Sequence, residues 1–299
     1  MERLTINDVG PRDGLQNQPV VLTAGQRIRL VRALADAGLA HIEAGAFVSP
    51  VAVPAMAGTD EILAGVTDLH DITLTVLVPN LRGYELAREA GARSVCLVLY
   101  ASEGMAQANV RMSMAQADTQ ARTMAGLAGQ DGIRVTATVA VAFECPFDGP
   151  VDPEVTLDIA RRFLAAGVNE LCIADTIAAA NPRQVRALTQ ELVNEHGAGR
   201  LGCHFHDTRA MGLANVFAAI ESGIRKFDAS IAGLGGCPFA PGASGNVATE
   251  DVVMMAEQMG FETGVNLAEL MKAAYLANEL TGNAPGGRSS AWLQRYLEK

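Results

Sequence analysis

Basic residues are in the minority in this 299-residue chain: 23 lysines and arginines stand against 33 aspartates and glutamates, for a formal charge of −10. Nucleic-acid affinity rests on a basic surface that neutralises phosphates, so this balance argues against a nucleic-acid partner. An anionic small substrate stays open, because local arginines, a metal or helix N-termini can receive it. Cysteine is sparse and poorly spaced for pairing. The five thiols, Cys96, Cys145, Cys172, Cys203 and Cys237, are odd in number and include no CxxC pair. That argues against structural disulfides and zinc ribbons and fits a reducing cytoplasm. No uncharged apolar run approaches the ~18–20 residues of a membrane helix. Met1-Glu-Arg-Leu-Thr5 has no basic region followed by an apolar one, so no signal peptide is read there. A Pro-, Ser- or charge-rich linker is missing as well. One domain over residues 1–299 is expected, with 263–299 as a C-terminal helical extension.

What is present is a core-forming composition, 49% hydrophobic and 19% charged, which does not suit disorder. Short β-rich runs alternate with longer amphipathic ones. Strands are expected at Leu4–Val9, His41–Ala44, Ile72–Val78, Ser94–Leu99, Ile133–Val141, Glu170–Ala174, Leu201–Phe205 and Lys226–Ile231. Between them, helices are expected from the Thr23 N-cap to Gly38, and over Leu81–Ala90, Ser113–Leu127, Pro153–Ala166, Pro182–Glu195 and Leu213–Ser222. Caps and apolar spacing carry these assignments. Ala37-Gly38, Ala90-Gly91, Ala166-Gly167 and Ser222-Gly223 mark a recurring helix-to-strand turn. Eight strands in this rhythm predict a TIM (β/α)8 barrel with extra C-terminal helices. An open doubly wound sheet is the competing fold, but Gly10-Pro-Arg-Asp-Gly14 lacks the dinucleotide fingerprint.

Function in such a barrel collects at the C-terminal strand ends. There the sequence places Arg12 and Asp13, Glu43, Asp175, and His204-Phe-His206. The eighth strand runs into Gly233-Leu-Gly-Gly-Cys237-Pro-Phe-Ala-Pro-Gly242-Ala-Ser-Gly-Asn246, a segment with one thiol, one amide and five glycines. Residues i and i+2 of a strand share a face, so His204 and His206 can reach one ion. With Asp13 and the Asn246 amide they make a mixed N/O set suited to magnesium, manganese or zinc. Arg12 offers a guanidinium to a developing oxyanion. Glu43 reads as support for a cation site, and Asp175 either as a cap or as an acid near the reaction. The other four cysteines read as small core or wall residues.

The motifs Asp8-Val-Gly-Pro-Arg12-Asp13-Gly-Leu-Gln16-Asn17, Ile42-Glu43, Phe47-Val-Ser-Pro50, Ala174-Asp175-Thr-Ile, His204-Phe-His206-Asp-Thr and the cysteine-bearing glycine loop resemble the 3-hydroxy-3-methylglutaryl-CoA (HMG-CoA) lyase family. The resemblance runs from about residue 4 to residue 280. It implies Asp13, His204, His206 and Asn246 as ligands of Mg2+ or Mn2+. It implies Arg12 at the thioester oxygen, Glu43 and Asp175 on the proton path, and Cys237 in acid/base catalysis. An acyl-CoA is the implied substrate, with Arg12, Gln16 and Arg209 as candidate binding residues. The hydroxyl proton is expected to pass to His204, or to Asp175 through it. A homodimer is a further expectation.

Departures gather at the same mouth. Ala44, Gly45 and Ala46 stand where the family usually has hydroxyl-bearing residues. Ala178 stands for the usual glycine, and Arg209-Ala210 for Tyr-Gly. A citramalyl- or methylmalyl-type thioester is therefore an alternative substrate. A Claisen-type synthase and a non-enzymatic metal-binding barrel are the remaining readings. Cys237 speaks against the first, and the complete ligand set against the second.

Overall fold

The computed structural model describes residues 1–236, 245–282, 284 and 286–297. Eight strands close a parallel barrel in sequential order. They are β1 (Thr5–Asp8), β2 (His41–Ala46), β3 (Thr73–Leu77), β4 (Ser94–Tyr100), β5 (Arg134–Ala140), β6 (Glu170–Asp175), β7 (Leu201–Phe205) and β8 (Lys226–Ala229). β1 pairs with both β2 and β8, which seals the ring. The expected TIM (β/α)8 barrel is the fold found.

Around the ring lie α1 (Ala24–Asp36), α2 (Thr59–Gly65), α3 (Leu81–Glu89), α4 (Glu103–Val110), α5 (Met114–Asp131), α6 (Pro153–Ala165), α7 (Pro182–His196), α8 (Gly212–Glu221) and α9 (Thr249–Gln258). Two more helices follow, α10 (Leu267–Thr281) and α11 (Ser290–Leu297). Thr23 caps α1 in a reciprocal capping box with Gln26, which satisfies two otherwise orphaned donors. The four helix-to-strand glycines, Gly38, Gly91, Gly167 and Gly223, all have positive φ. Only glycine takes that conformation without steric cost. α2, α4 and α9 were not expected from the sequence, and the fifth helix runs beyond Leu127 to Asp131.

Strand alternation separates two environments. On β5, Val135, Ala137 and Val139 are buried outward against helices, while Thr136 and Thr138 line the barrel interior. Asn7, Thr75, Cys172 and Asp228 line it from other strands. Barrel interiors are usually filled by bulky branched side chains. Small and polar ones here leave room along the axis, and that room opens at the C-terminal mouth.

One buried side chain shapes the rim of that mouth. Arg27 of α1 is fully enclosed. Its guanidinium donates to the carbonyls of Ala44 (3.1 Å), Ala57 (3.2 Å) and Ala55 (3.3 Å), and more loosely to Pro11 (3.5 Å). Burial pushes its pKa down to about 10, so it stays charged at neutral pH. Gly45 lies against it: a Cβ there would sit 2.6 Å from Thr59 Oγ1 and 2.8 Å from Arg27 Nη2. Arg27 thus ties the loops after β1 and β2 to α1. Arg27→Met strands several buried acceptors, each costing about 1–3 kcal/mol. The expected loss is about 3 kcal/mol of stability, read as a lower midpoint in urea with an unchanged m-value. An unchanged midpoint would show that the carbonyls find other donors.

Candidate active site

A tight turn after β1 supplies the first two functional side chains. Residues Gly10–Gly14 form a single π-helical turn with Pro11 at its start. Such turns are rare and recur at functional sites. The turn brings Arg12 and Asp13 into the barrel mouth. Arg12 Nε donates to Glu43 Oε2 at 2.7 Å, and its Nη2 lies 2.6 Å from the same oxygen. Its Nη1 donates to Asp13 Oδ1 at 2.7 Å. The guanidinium is therefore locked between a carboxylate on β2 and one on its own turn.

His204 on β7 and His206, one residue past its end, project to the same side, as the i, i+2 spacing predicts. Their Nε2 atoms are 3.1 Å apart, and His206 Nε2 is 3.9 Å from Asp13 Oδ2. One ligand atom from each of Asp13, His204 and His206 falls within 4.8 Å of the other two. Asn246 joins this group because the chain returns beside β7. Asp207 N–H donates to Gly245 O (2.9 Å) and Val247 N–H to Phe205 O (3.0 Å). The Asn246 amide nitrogen donates to Asp13 Oδ2 at 2.8 Å. Its carbonyl oxygen is buried without a partner.

Electrostatics suit a cation. Burial opposes ionisation of Asp13, but the charges of Arg12, His204 and His206 outweigh it and hold the carboxyl down at about 2. Burial and the neighbouring His204 push His206 down to about 4, so its imidazole is neutral and has a lone pair to offer. Burial opposes protonation of His204 too, yet Asp228 and Asp13 prevail and raise its pKa. A carboxylate, two imidazole nitrogens and an orphaned amide oxygen facing one space form a donor set that fits a divalent metal ion.

A cavity of about 660 Å3 takes in Arg12, Asp13, Gln16, Glu43, His204 and His206. That is within the usual size of a small-molecule site. Glu43 Oε2 is taken by Arg12, but Oε1 is buried with no partner. Burial pushes Glu43 up, and although Arg12 pulls it back, its pKa rests at about 6.

Three of the expected residues make contacts of their own around the mouth. Asp175 turns both oxygens onto its own loop, accepting from Ala179 N–H (2.7 Å) and Ala180 N–H (3.1 Å). These two bonds hold the turn after β6, while Asn181 caps α7. Both ring nitrogens of His204 have neighbours: Nδ1 lies 3.1 Å from Asp228 Oδ2, and Nε2 faces His206. Arg209 does not line the cavity among the described residues; its Nε donates to Ala178 O at 2.6 Å, tying the loops after β6 and β7. Ala178 and Ala210 both have positive φ, 55° and 57°. A Cβ in that conformation is strained, so both alanines are held there by their surroundings. Cys237 lies outside the described residues. Burial pushes the thiols of Cys96, Cys172 and Cys203 up, so none of these is a thiolate at neutral pH.

Asp228 is the residue that the sequence reading missed. It sits in mid-strand, in Lys-Phe-Asp-Ala, and the only signal was its inward alternation with Lys226.

A parallel (β/α)8 barrel whose C-terminal mouth gathers an arginine, an Asp-His-His cluster and an amide is built as a barrel enzyme with a candidate metal centre. The family model described as HMGL-like matches residues 3–276. The chain belongs to that family. It is 41% identical to the hydroxymethylglutaryl-CoA lyase of Pseudomonas mevalonii, over 97% of this chain and 96% of that protein. It is 44% identical to the (R)-citramalyl-CoA lyase of Chloroflexus aurantiacus, over 92% of this chain and 90% of that one. The crystal structure of hydroxymethylglutaryl-CoA lyase from Pseudomonas aeruginosa superposes with a TM-score of 0.95 at 38% identity, covering 99% and 98% of the two chains. Among the described residues no helix is long and apolar enough to cross a membrane.

Proposed function

We propose that this protein is a carbon–carbon lyase that splits HMG-CoA into acetyl-CoA and acetoacetate by a retro-Claisen step. The observation that carries the reading is the Glu43–Arg12–Asp13 chain set beside the two histidines in one cavity. Asp13, His204, His206 and Asn246 would hold a divalent cation, Mg2+ or Mn2+. When bound, such an ion supplies Lewis acidity that lowers the pKa of a coordinated hydroxyl.

The chain's own residues do the rest. Glu43 accepts the hydroxyl proton through its unpartnered Oε1, with a pKa close enough to neutrality for a general base. The bond between the carbinol carbon and the thioester α-carbon breaks, and its electron pair passes into the thioester enolate. Arg12, immobilised by two carboxylates, holds positive charge where the thioester oxygen gains negative charge. Cys237 gives its thiol proton to the enolate carbon, completing acetyl-CoA. Solvent returns a proton to the thiolate and takes one from Glu43.

The base assignment predicts a pH profile. Glu43 works ionised, so kcat falls as the pH drops through about 6. Glu43→Gln is expected to lower kcat by about 10²–10³-fold and to erase that limb. Burial also raises Asp175 to about 6, so Asp175→Asn is the control. If Asp175→Asn alone erases the limb, the base is Asp175.

A second substrate is favoured by a specific observation. The (R)-citramalyl-CoA lyase is the more identical of the two curated relatives named above, and this chain departs from the lyase motif at Ala44–Ala46 and Arg209. The deciding experiment is a panel of HMG-CoA, citramalyl-CoA and methylmalyl-CoA with Mg2+ or Mn2+. The highest kcat/KM for HMG-CoA, with acetoacetate formed, is the expected result. A higher value for citramalyl-CoA, with pyruvate formed, assigns the second substrate. Failure of every thioester with both metals removes the lyase reading. The protein is read as cytoplasmic, and as a possible homodimer.

A further inference from the structure

The geometry points to Asp228 as a positioning residue that fixes the ring of His204 for cation binding, with Asn7 as its brace. The inference rests on the metal reading of the Asp13–His204–His206–Asn246 group and assigns how one of its histidines is prepared.

Three adjacent strands carry the arrangement. In the barrel register, Asp228 of β8 stands opposite His204 of β7 on one side and Asn7 of β1 on the other. Asp228 Oδ2 lies 3.1 Å from His204 Nδ1, and Asn7 Nδ2 donates to Asp228 Oδ1 at 2.8 Å. The Cys172 thiol adds a longer contact to Oδ2, at 3.7 Å. Both carboxylate oxygens are thus held from the sides, and the group cannot swing away from the imidazole. A carboxylate only accepts hydrogen bonds, so the nitrogen facing it must carry hydrogen. In the neutral ring that places the one proton on Nδ1 and leaves the Nε2 lone pair aimed at His206 and Asp13.

His206 is the internal contrast. Its Nδ1 is buried with no partner, so nothing among the described residues fixes its proton. Of the two histidines, His204 is the prepared one. A carboxylate behind a metal-binding histidine sets tautomer and ring orientation, and its loss typically costs 10–100-fold in metal affinity.

Asp228→Asn tests this because it keeps shape and volume. The amide can donate to Nδ1, which then accepts and drives the proton to Nε2, the wrong nitrogen. Two readouts are needed. The first is Mn2+ affinity of the substrate-free protein, followed by electron paramagnetic resonance of free Mn2+. The second is the 15N spectrum of His204 in metal-free protein, at a pH where the ring is neutral. Expected are a Kd for Mn2+ raised about 10–100-fold, a shift of the His204 proton from Nδ1 to Nε2, and a loss in kcat at saturating Mn2+. A merely structural residue would move the melting temperature and leave the tautomer alone. Asn7→Ser, which loosens the brace without touching His204, is expected to raise the Mn2+ Kd in the same direction by a smaller factor. It serves if Asp228→Asn does not fold. An Asp228→Asn protein that folds, binds Mn2+ like the parent and keeps its Nδ1 proton overturns the proposal. A parent protein that binds no Mn2+ overturns the metal reading instead, so the two failures are distinguishable.

Discussion

Arg12→Met is expected to lower kcat by about 10³-fold, with a much smaller change in KM. Removing one preorganised donor to a developing oxyanion costs about 10²–10³ in kcat, and Arg12 brings full charge as well as donors. The charge is not free to relax in the parent protein. Three of its nitrogens contact Glu43 or Asp13 within 2.7 Å, so little reorganisation is needed as the enolate forms. The substitution has a second effect that can be measured separately. Arg12 lowers the pKa of both Glu43 and Asp13, so without it both carboxyls move up. The acid limb of the pH profile is then expected above 6. Arg12→Lys keeps the charge but not the planar fork, and is expected to fall between parent and Arg12→Met. Equal losses in Arg12→Lys and Arg12→Met would mean that geometry alone matters; full activity in Arg12→Met would remove Arg12 from the reaction.

The second large effect is expected from Asp13→Asn. Asp13 joins every part of the site: it receives Arg12 on one oxygen and Asn246 on the other, and faces His206. The amide matches its size but carries no charge. Mn2+ binding is expected to weaken at least about 100-fold, beyond the range for indirect support of a ligand. Because Lewis-acid stabilisation is worth several kcal/mol, kcat is expected to fall at least about 10³-fold even at high Mn2+. Equilibrium dialysis against Mn2+, with kcat measured across a metal titration, checks both. Retained affinity would show that the cation, if bound, sits elsewhere.

How far the sequence carried these conclusions depended on local punctuation. The eight strands were legible from apolar runs, four of them entered through an Ala-Gly or Ser-Gly turn, and those glycines do adopt positive φ. Strand ends then placed Asp13, His204, His206 and Asn246 together, because a parallel barrel points all such ends one way. Each missed helix lacked a usual mark at one end. α2 follows Gly58 and α9 follows Ala248, neither with a side-chain cap. α4 ends at Arg111, a non-glycine in left-handed conformation. Side-chain direction was the other gap. Spacing located Asp175 and Arg209 near the mouth, but only coordinates show that one bonds backbone amides of its own loop and the other a carbonyl of that loop. Asp228 was hidden for the opposite reason: one acid in a four-residue strand has no pattern of its own.

The enclosed guanidinium of Arg27 limits which substitutions the rim of the mouth accepts. Glycine at position 45 is not a free choice while Arg27 and Thr59 occupy the space a larger side chain would need. Introducing a serine at 45 is expected to fail alone and to be tolerated only once positions 27 and 59 are both shortened. Positions 27, 45 and 59 would then show non-additive effects in a mutant cycle. The Ala-Gly-Ala rim behind Glu43 is in that sense locked from behind: α1 and Thr59, not the cavity, decide which side chains its middle position accepts.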